Sequence, residues 1–102
     1  MKFSEHLRND RSGRIAFIEK TVGFGHIVKE LYRIKNNRAE WCCITNTGVM
    51  VIKNANKSKI VTMWIATVGQ LEQIYLDEVI PKNLYTVVKN NRIYQAPQRA
   101  LN

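Results

Sequence analysis

Four extended segments in the middle of the chain, joined by very short polar turns, constrain its fold more than any other feature. The segments are "HIVKELYRI" from His26, "EWCCIT" (40–45), "VMVIK" (49–53) and "KIVTMWIAT" (59–67). The turns between them are "KNNR" (35–38), "NTG" (46–48) and "NANKS" (54–58). Turns this short leave no room for a crossover, so consecutive strands pair side by side and antiparallel. The sequence therefore predicts a four-stranded antiparallel meander sheet.

The alternation of side chains in the first segment predicts a strand with one buried face and one face exposed to solvent. Val28, Tyr32 and Ile34 share one parity, whereas Lys29 and Arg33 lie on the other. Successive side chains of a strand point to opposite faces, so the apolar set is expected to face the core.

The fourth segment is apolar on both parities, which favours a central strand or one covered on both faces. Strict alternation predicts one face formed by Ile60, Thr62 and Trp64 and another formed by Val61, Met63 and Ile65. Thr62 is the unusual member, because a hydroxyl within an apolar run indicates either a satisfied core threonine or a point of contact with a ligand.

Helical patterns flank the strands. Ser4 is a suitable cap for a short first helix, and a bend is expected near Gly13. "GFG" (23–25) is a helix stop, and an apolar stripe before it consists of Ile15, Ile18 and Val22. The N-terminal part is therefore predicted to be a bent helix packed on the sheet.

A second helical region follows the strands. Leu71, Ile74 and Tyr75 have helical spacing, and Pro81 occupies a position permitted at the start of another helix. The tail 95–102 has no apolar stripe and is predicted to be flexible. The sequence thus predicts a single α+β domain over residues 1–94, with helices following the sheet.

The chain is strongly basic. Its 102 residues include 16 Lys and Arg against 8 Asp and Glu, giving a net charge of +8 and a pI near 9.8. Residues 1–38 hold nine basic and four acidic side chains, a net of +5. This charge suits a polyanionic partner, and nucleic acid is the expected one. The alternative is that the excess charge only maintains solubility.

Cysteine usage and hydropathy predict a cytoplasmic protein with no membrane association. Cys42 and Cys43 are adjacent, and neighbours in a strand point to opposite faces, so both are expected to be reduced packing residues. The N-terminus lacks the apolar core of a signal peptide, and no run approaches the roughly 18 apolar residues of a membrane helix.

Several kinds of site are disfavoured by spacing. "GFGH" lacks the third glycine and the lysine of a phosphate-binding loop. The two histidines, His6 and His26, are twenty residues apart and the acids are scattered, which disfavours a metal site. No cofactor is predicted, and His26 is expected to be structural.

A cluster of His6, Arg8, Arg11 and Arg14 on the first helical segment remains. Histidine exchanges protons near neutral pH, and arginine binds phosphate through two parallel hydrogen bonds. These groups suffice in principle to cleave RNA without a metal. A solvated basic helix is the alternative interpretation.

The order of motifs resembles a known group. A start of the form "S-x-H" leads into "R-x-x-R-I", "GFG", "ITNTGVMVI" and "KIVTMWIAT" followed by Gln70. This layout, over roughly residues 4–75, is similar to small nuclease-like domains of phages and prophages, in the fold assemblage of barnase, EndoU, colicin and RelE. The resemblance implies N-terminal helices packed on a twisted antiparallel sheet whose open face handles RNA.

The resemblance also implies site residues. His6, either Arg11 or Arg14, and Thr62 match the positions of the family's active face, and Thr45 and Thr47 match less closely. The catalytic glutamate that some members carry on a strand has no counterpart, since Glu40 begins its strand and Glu72 lies in a predicted helix.

Two functions are therefore predicted as alternatives. The first is a metal-independent, toxin-like ribonuclease in which His6 is the acid and base, Arg11 and Arg14 hold phosphate, and Thr62 positions the substrate. Its expected nucleic-acid contacts are Arg8, Lys29, Arg33 and Lys53.

The second is a non-catalytic phage protein of the same fold that binds nucleic acid or a host protein and inhibits it. A cognate antitoxin is the partner expected of the toxin-like protein, and the resemblance implies the cytoplasm of a bacterial host cell for either. The affinity of the non-catalytic protein would depend on the basic face and on tyrosines expected to be exposed, namely Tyr32, Tyr75, Tyr85 or Tyr94. A homodimer that covers the central strand is a further expectation.

Overall fold

The computed structural model describes residues 2–10 and 12–101, with the backbone alone at His6, Asn9 and Asp10. Two helices precede the sheet: α1 (Glu5–Asp10) and α2 (Ser12–Thr21). The strands are β1 (Ile27–Lys35), β2 (Arg38–Thr45), β3 (Val49–Asn54) and β4 (Ile60–Ile65). They are followed by α3 (Val68–Ile74), α4 (Lys82–Asn90), a 3₁₀ turn (Asn91–Tyr94) and α5 (Gln95–Arg99). The strands form one antiparallel sheet in the order β1-β2-β3-β4, which confirms the predicted α+β class and the meander.

The sheet has a core on each face. On the α3/α4 face, named for the helices that cover it, the buried side chains of β2 and β3 are Cys42, Ile44, Met50 and Ile52. Leu71, Tyr75, Leu84 and Val88 pack on them from the helices. The Tyr75 hydroxyl donates a hydrogen bond of 3.0 Å to the carbonyl of Cys42. Tyr75 is thus a core residue rather than the exposed anchor that sequence analysis expected.

The opposite, α1/α2 face carries the second core. Its buried side chains from the strands are Cys43, Val49, Val51, Ile60, Met63 and Ile65. Leu7 of α1 and Ile18 of α2 are fully buried against them. Burial on both faces explains why β3 and β4 consist almost entirely of apolar residues.

Strand β4 lies at an edge of the sheet, so the prediction of a central strand is wrong, although the strand is covered. The N-terminal segment pairs with it: the Ser4 amide donates to the Ile60 carbonyl at 2.8 Å, and the Ile60 amide donates to the Lys2 carbonyl at 2.8 Å. Further along the edge, the Gln98 side chain accepts from the Ile65 amide at 2.6 Å and donates to the Ile65 carbonyl at 2.7 Å. One carboxamide therefore occupies the place of a neighbouring strand.

A bulge in β4 changes which residues share a face. Ile52 of β3 is opposite Thr62, but the next residue, Lys53, is opposite Ile60, so Val61 is an extra residue. Ile60 consequently joins the core of the α1/α2 face, while Val61 and Trp64 pack on the α3/α4 face. The predicted grouping of Ile60 with Thr62 and Trp64 is wrong because strict alternation does not anticipate the bulge.

The C-terminal segment differs from the expected flexible tail. Residues Gln95–Arg99 form α5, and Gln98 is 95% buried by its position against β4. The Gln95 side chain also donates to the Ala66 carbonyl at 3.1 Å. Apolar periodicity misses this helix because glutamine amides anchor it. Both cysteines are free and buried, and none of the helices described is long and apolar enough to cross a bilayer.

We predict that Gln98→Ala lowers the free energy of unfolding by about 2–3 kcal/mol, because it leaves the buried amide and carbonyl of Ile65 without hydrogen-bond partners. Urea denaturation followed by far-UV circular dichroism measures the change. Gln95→Ala, which removes a single bond to Ala66, is the matched control and should cost about 1 kcal/mol. A Gln98→Ala variant within 0.5 kcal/mol of the wild type would show that the carboxamide does not secure the edge.

Candidate nucleic-acid interface

The helices leave part of the α1/α2 face uncovered. Helices α1, α2 and α5 pack mainly against β4. The hairpin end of β1 and β2 is consequently exposed: Tyr32 is 49% and Ile34 71% accessible. The alternation in β1 placed both side chains towards the core, whereas the binding alternative expected Tyr32 to be exposed, as it is. The core placement is wrong because the helices do not extend this far across the sheet.

An aromatic pair lies on this uncovered area. Tyr32 of β1 is directly opposite Trp41 of β2, and their ring centroids are 5.2 Å apart with an interplanar angle of 65°. The indole Nε1 donates a hydrogen bond of 3.0 Å to the carbonyl of Ala55. This bond, together with the contact between the rings, holds the indole in a fixed orientation on the sheet.

Three charged side chains adjoin the aromatic pair. The Lys57 ammonium is 2.9 Å from Glu30 Oε1 and 4.0 Å from the centroid of the Trp41 ring, a cation–π contact. The Lys53 ammonium is 3.9 Å from Glu30 Oε2. We call the surface formed by Glu30, Tyr32, Trp41, Lys53 and Lys57 the open strip.

A buried thiol supports the carboxylate from below. Cys43 lies opposite Glu30 in the register of β1 and β2, and its Sγ donates to Glu30 Oε2 at 3.4 Å. The hydrogen bond from Lys57 lowers the pKa of Glu30, against an opposing effect of burial. Burial, with the hydrogen bond to Glu30, raises the pKa of Cys43 to about 12. At neutral pH the carboxyl is therefore ionised and the thiol carries its proton.

The backbone of Lys57 is in the left-handed region, with φ at 60°. A non-glycine residue other than Asn or Asp rarely adopts this conformation. The Lys57 amide donates to the Asn54 carbonyl at 2.9 Å, which closes the turn between β3 and β4. The turn in this way projects a lysine back over the sheet.

The predicted nucleic-acid contacts divide between the two faces. Lys53 belongs to the open strip, and Arg8 is exposed on α1. Lys29 and Arg33 lie on the α3/α4 face, where Lys29 is 3.5 Å from Glu78 and Arg33 is 3.1 Å from Glu40. Lys29 and Arg33 thus each have a carboxylate partner of their own, whereas Lys53 and Lys57 share Glu30.

Of the four predicted catalytic residues, the structure describes the side chains of Arg14 and Thr62, and these two do not line a common cleft. The His6 side chain and Arg11 lie outside the described residues. Arg14 donates from Nη2 to the Leu101 carbonyl at 3.2 Å and lines a cleft of about 190 Å³ beside Trp64. Thr62 is half-buried on the α3/α4 face and is not part of that cleft.

The weaker candidates have structural roles. Thr45 is fully buried, and its hydroxyl accepts a hydrogen bond of 3.1 Å from the Val49 amide. The Thr47 hydroxyl donates to the Gly23 carbonyl at 2.8 Å. The His26 backbone amide donates to the Asn46 side chain at 2.8 Å, and the residue is exposed. Tyr94 packs edge-on against Phe17, whereas Tyr85 is 39% accessible on α4.

A larger cleft of about 500 Å³ lies at the turn end of the α3/α4 face. Its floor includes Ile52 and Val61, and its rim includes Glu40 and Asn54. Glu40 is bonded to Arg33, and Asn54 bonds both the Ser58 hydroxyl and the Lys59 amide. These polar groups are engaged within the chain, whereas the open strip presents rings and cations together.

Sequence analysis missed Glu30, Trp41 and Lys57. Glu30 and Tyr32 are two residues apart in β1 and therefore lie on the same face. A predicted pairing of Trp41 with Tyr32 would have placed all three residues on one surface. Lys57 gives no such signal, because its position follows from the conformation of a turn. Among the side chains described, no three His, Cys, Asp or Glu residues come close enough together to hold a metal ion.

Comparisons with protein-family models, curated proteins and solved structures find no match to this chain. The resemblance to phage nuclease-like domains therefore stays a prediction.

We predict that Glu30→Gln destabilises the protein at pH 7 but has a much smaller effect near pH 3. A carboxyl whose pKa is lowered by folding stabilises the native state above its unfolded pKa, near 4.3 for glutamate, and loses that contribution as the pH falls. Urea midpoints of both proteins at several pH values measure the difference. Glu72→Gln, at an exposed position of α3, is the control, and an equal Glu30→Gln effect at pH 7 and pH 3 would contradict the prediction.

Proposed function

We propose that the protein binds single-stranded nucleic acid, RNA in the first instance, on the open strip. The observation that carries the proposal is an aromatic couple, exposed Tyr32 and half-buried Trp41, beside two lysines on one area of the sheet that the helices leave uncovered. This proposal corresponds to the non-catalytic function that the sequence predicted as an alternative, and it names the surface that would bind the nucleic acid.

The aromatic pair favours single strands over duplexes. Bases in a duplex are stacked on each other, whereas unpaired bases are free to stack on aromatic side chains that project from a sheet. The orientation of the indole is already fixed by its bond to Ala55. Binding therefore does not require the Trp41 ring to be ordered first, which reduces the entropic cost.

The charges favour a phosphate-bearing ligand. Lys53 and Lys57 both contact Glu30, so two cations share one carboxylate and the strip keeps a positive excess. The sequence as a whole has a net charge of +8. A long-range field of this sign speeds encounter with polyanions and weakens as salt is added.

The test is the affinity of Trp41→Ala for a labelled single-stranded RNA octamer, measured by fluorescence anisotropy. Since base stacking on an aromatic ring contributes about 1–3 kcal/mol, affinity should fall roughly 5- to 150-fold. Trp41→Phe, which retains a ring, should recover most of it, and Tyr85→Ala, on α4, should bind like the wild type. Circular dichroism verifies that each variant is folded.

Salt dependence provides an independent readout of the same proposal. Lys53→Gln and Lys57→Gln should each reduce the slope of affinity against salt concentration by about 0.7, the value for one phosphate contact on a single strand. Unchanged RNA affinity in Trp41→Ala would refute the proposal. Capture of a protein through Tyr32 and Ile34 with no RNA binding would point to a protein-docking surface instead.

Ribonuclease activity, with its implied toxin-like role, phage or prophage origin and antitoxin partner, stays a prediction. It is tested by incubating single-stranded and structured RNA with the purified protein in EDTA, then repeating the assay with His6→Ala. Cleavage by the wild type that His6→Ala abolishes is the expected result for that mechanism. No cleavage by either protein, or equal cleavage by both, would contradict it.

A further inference from the structure

We infer that Glu30 selects the base that stacks on Trp41, favouring bases with an exocyclic amino group over those with a carbonyl at the same position. The inference rests on the proposed function and concerns the base that the open strip binds. Its structural basis is the set of contacts that Lys57 makes in the free protein.

Lys57 occupies the position that a stacked base would take. Its ammonium is over the indole face, 4.0 Å from the ring centroid, and donates to Glu30 Oε1 at 2.9 Å. An N–H donor above the Trp41 ring is thus already bonded to this carboxylate. A base stacked at that position places an edge, and any amino group on that edge, within reach of the same oxygen.

Lys57 can be displaced at little cost. Its side chain is 38% accessible, and ion pairs at such exposed positions contribute little to stability. The released ammonium remains available for a neighbouring phosphate. An open depression in the surface borders Glu30, Trp41 and Lys57, which leaves room for a ligand beside the ring.

The orientation of Glu30 is fixed by groups that a ligand does not displace. Cys43 is fully buried beneath the carboxylate and donates to Oε2, on whose side Lys53 also lies. With Oε2 held in this way, Oε1 is directed towards Lys57 and the Trp41 ring. An ionised carboxylate only accepts hydrogen bonds, so it attracts an amino group and repels a carbonyl oxygen.

The consequence is a selectivity among bases of equal size. Cytosine carries an amino group where uracil has a carbonyl, and adenine carries one where hypoxanthine has a carbonyl. Stacking alone discriminates weakly, because every base has a π-face. A preference that follows the amino group within each pair is therefore the signature of Glu30 and not of Trp41.

The experiment compares labelled octamers of cytidine with uridine, and of adenosine with inosine, by anisotropy at one salt concentration. The wild type should bind the amino-bearing member of each pair about tenfold more tightly. Glu30→Gln, whose amide both donates and accepts, should bind the two members within about threefold of each other. Glu40→Gln, a carboxylate on the opposite face bonded to Arg33, is the matched control and should keep the full preference.

The outcomes separate this inference from the function on which it rests. Equal binding of both members by the wild type, with loss of affinity in Trp41→Ala, overturns the selectivity but leaves the binding function intact. A preference that persists in Glu30→Gln also overturns the role of Glu30. If none of the octamers binds to the wild type, the binding function and the selectivity fail together.

Discussion

The short helices can cover only part of the sheet, and this limit determines which of its residues are buried and which are exposed. Within residues 2–10 and 12–101, five short α-helices are available to cover the two faces of the four-stranded sheet. On the α1/α2 face they pack mainly against β4, and β3 beside it is almost wholly buried. Burial declines across β2 to β1, where Tyr32 and Ile34 are exposed. The exposed end of the sheet is thus a direct consequence of where the helices pack.

The two edges of the sheet are protected by different means. At β4, the N-terminal segment and the Gln98 carboxamide satisfy backbone groups that would otherwise be open to pairing. Strand β1 instead carries Lys29, Arg33 and Lys35 along its length, and charged side chains disfavour pairing with another strand. The residues that protect the β1 edge also contribute to the basic surface, so solubility and attraction of polyanions have a common origin.

The chemistry of the open strip depends on one acid among cations. Without Glu30, the area would offer rings and lysines, which suffice for binding any single strand. With it, the strip has an oriented acceptor beside the ring, held by a buried thiol with Lys53 on the same side. This arrangement joins affinity, which comes from stacking and charge, to a means of distinguishing bases.

Short polar turns, apolar periodicity and charge are local properties of the chain, so the α+β class, the meander and the basic character could be predicted from the sequence alone. It also indicated the helix stop at "GFG", where Gly23 has a positive φ of 76° and its amide donates to the Ile18 carbonyl at 2.9 Å. Of the residues in the open strip, the sequence predicted only Lys53 and Tyr32 as functional. Tyr32 was expected to be exposed only if the protein is a non-catalytic binder.

Only the tertiary structure decided which strand is at the edge, which face each β4 residue occupies and which part of the sheet stays open. The bulge at Val61 depends on the register with β3, and the closure of the β4 edge depends on a glutamine 33 residues away in the chain. Glu30, Trp41 and Lys57 come together through strand pairing and one left-handed turn residue. Contacts between residues so far apart in sequence depend on packing, which a local sequence pattern does not predict.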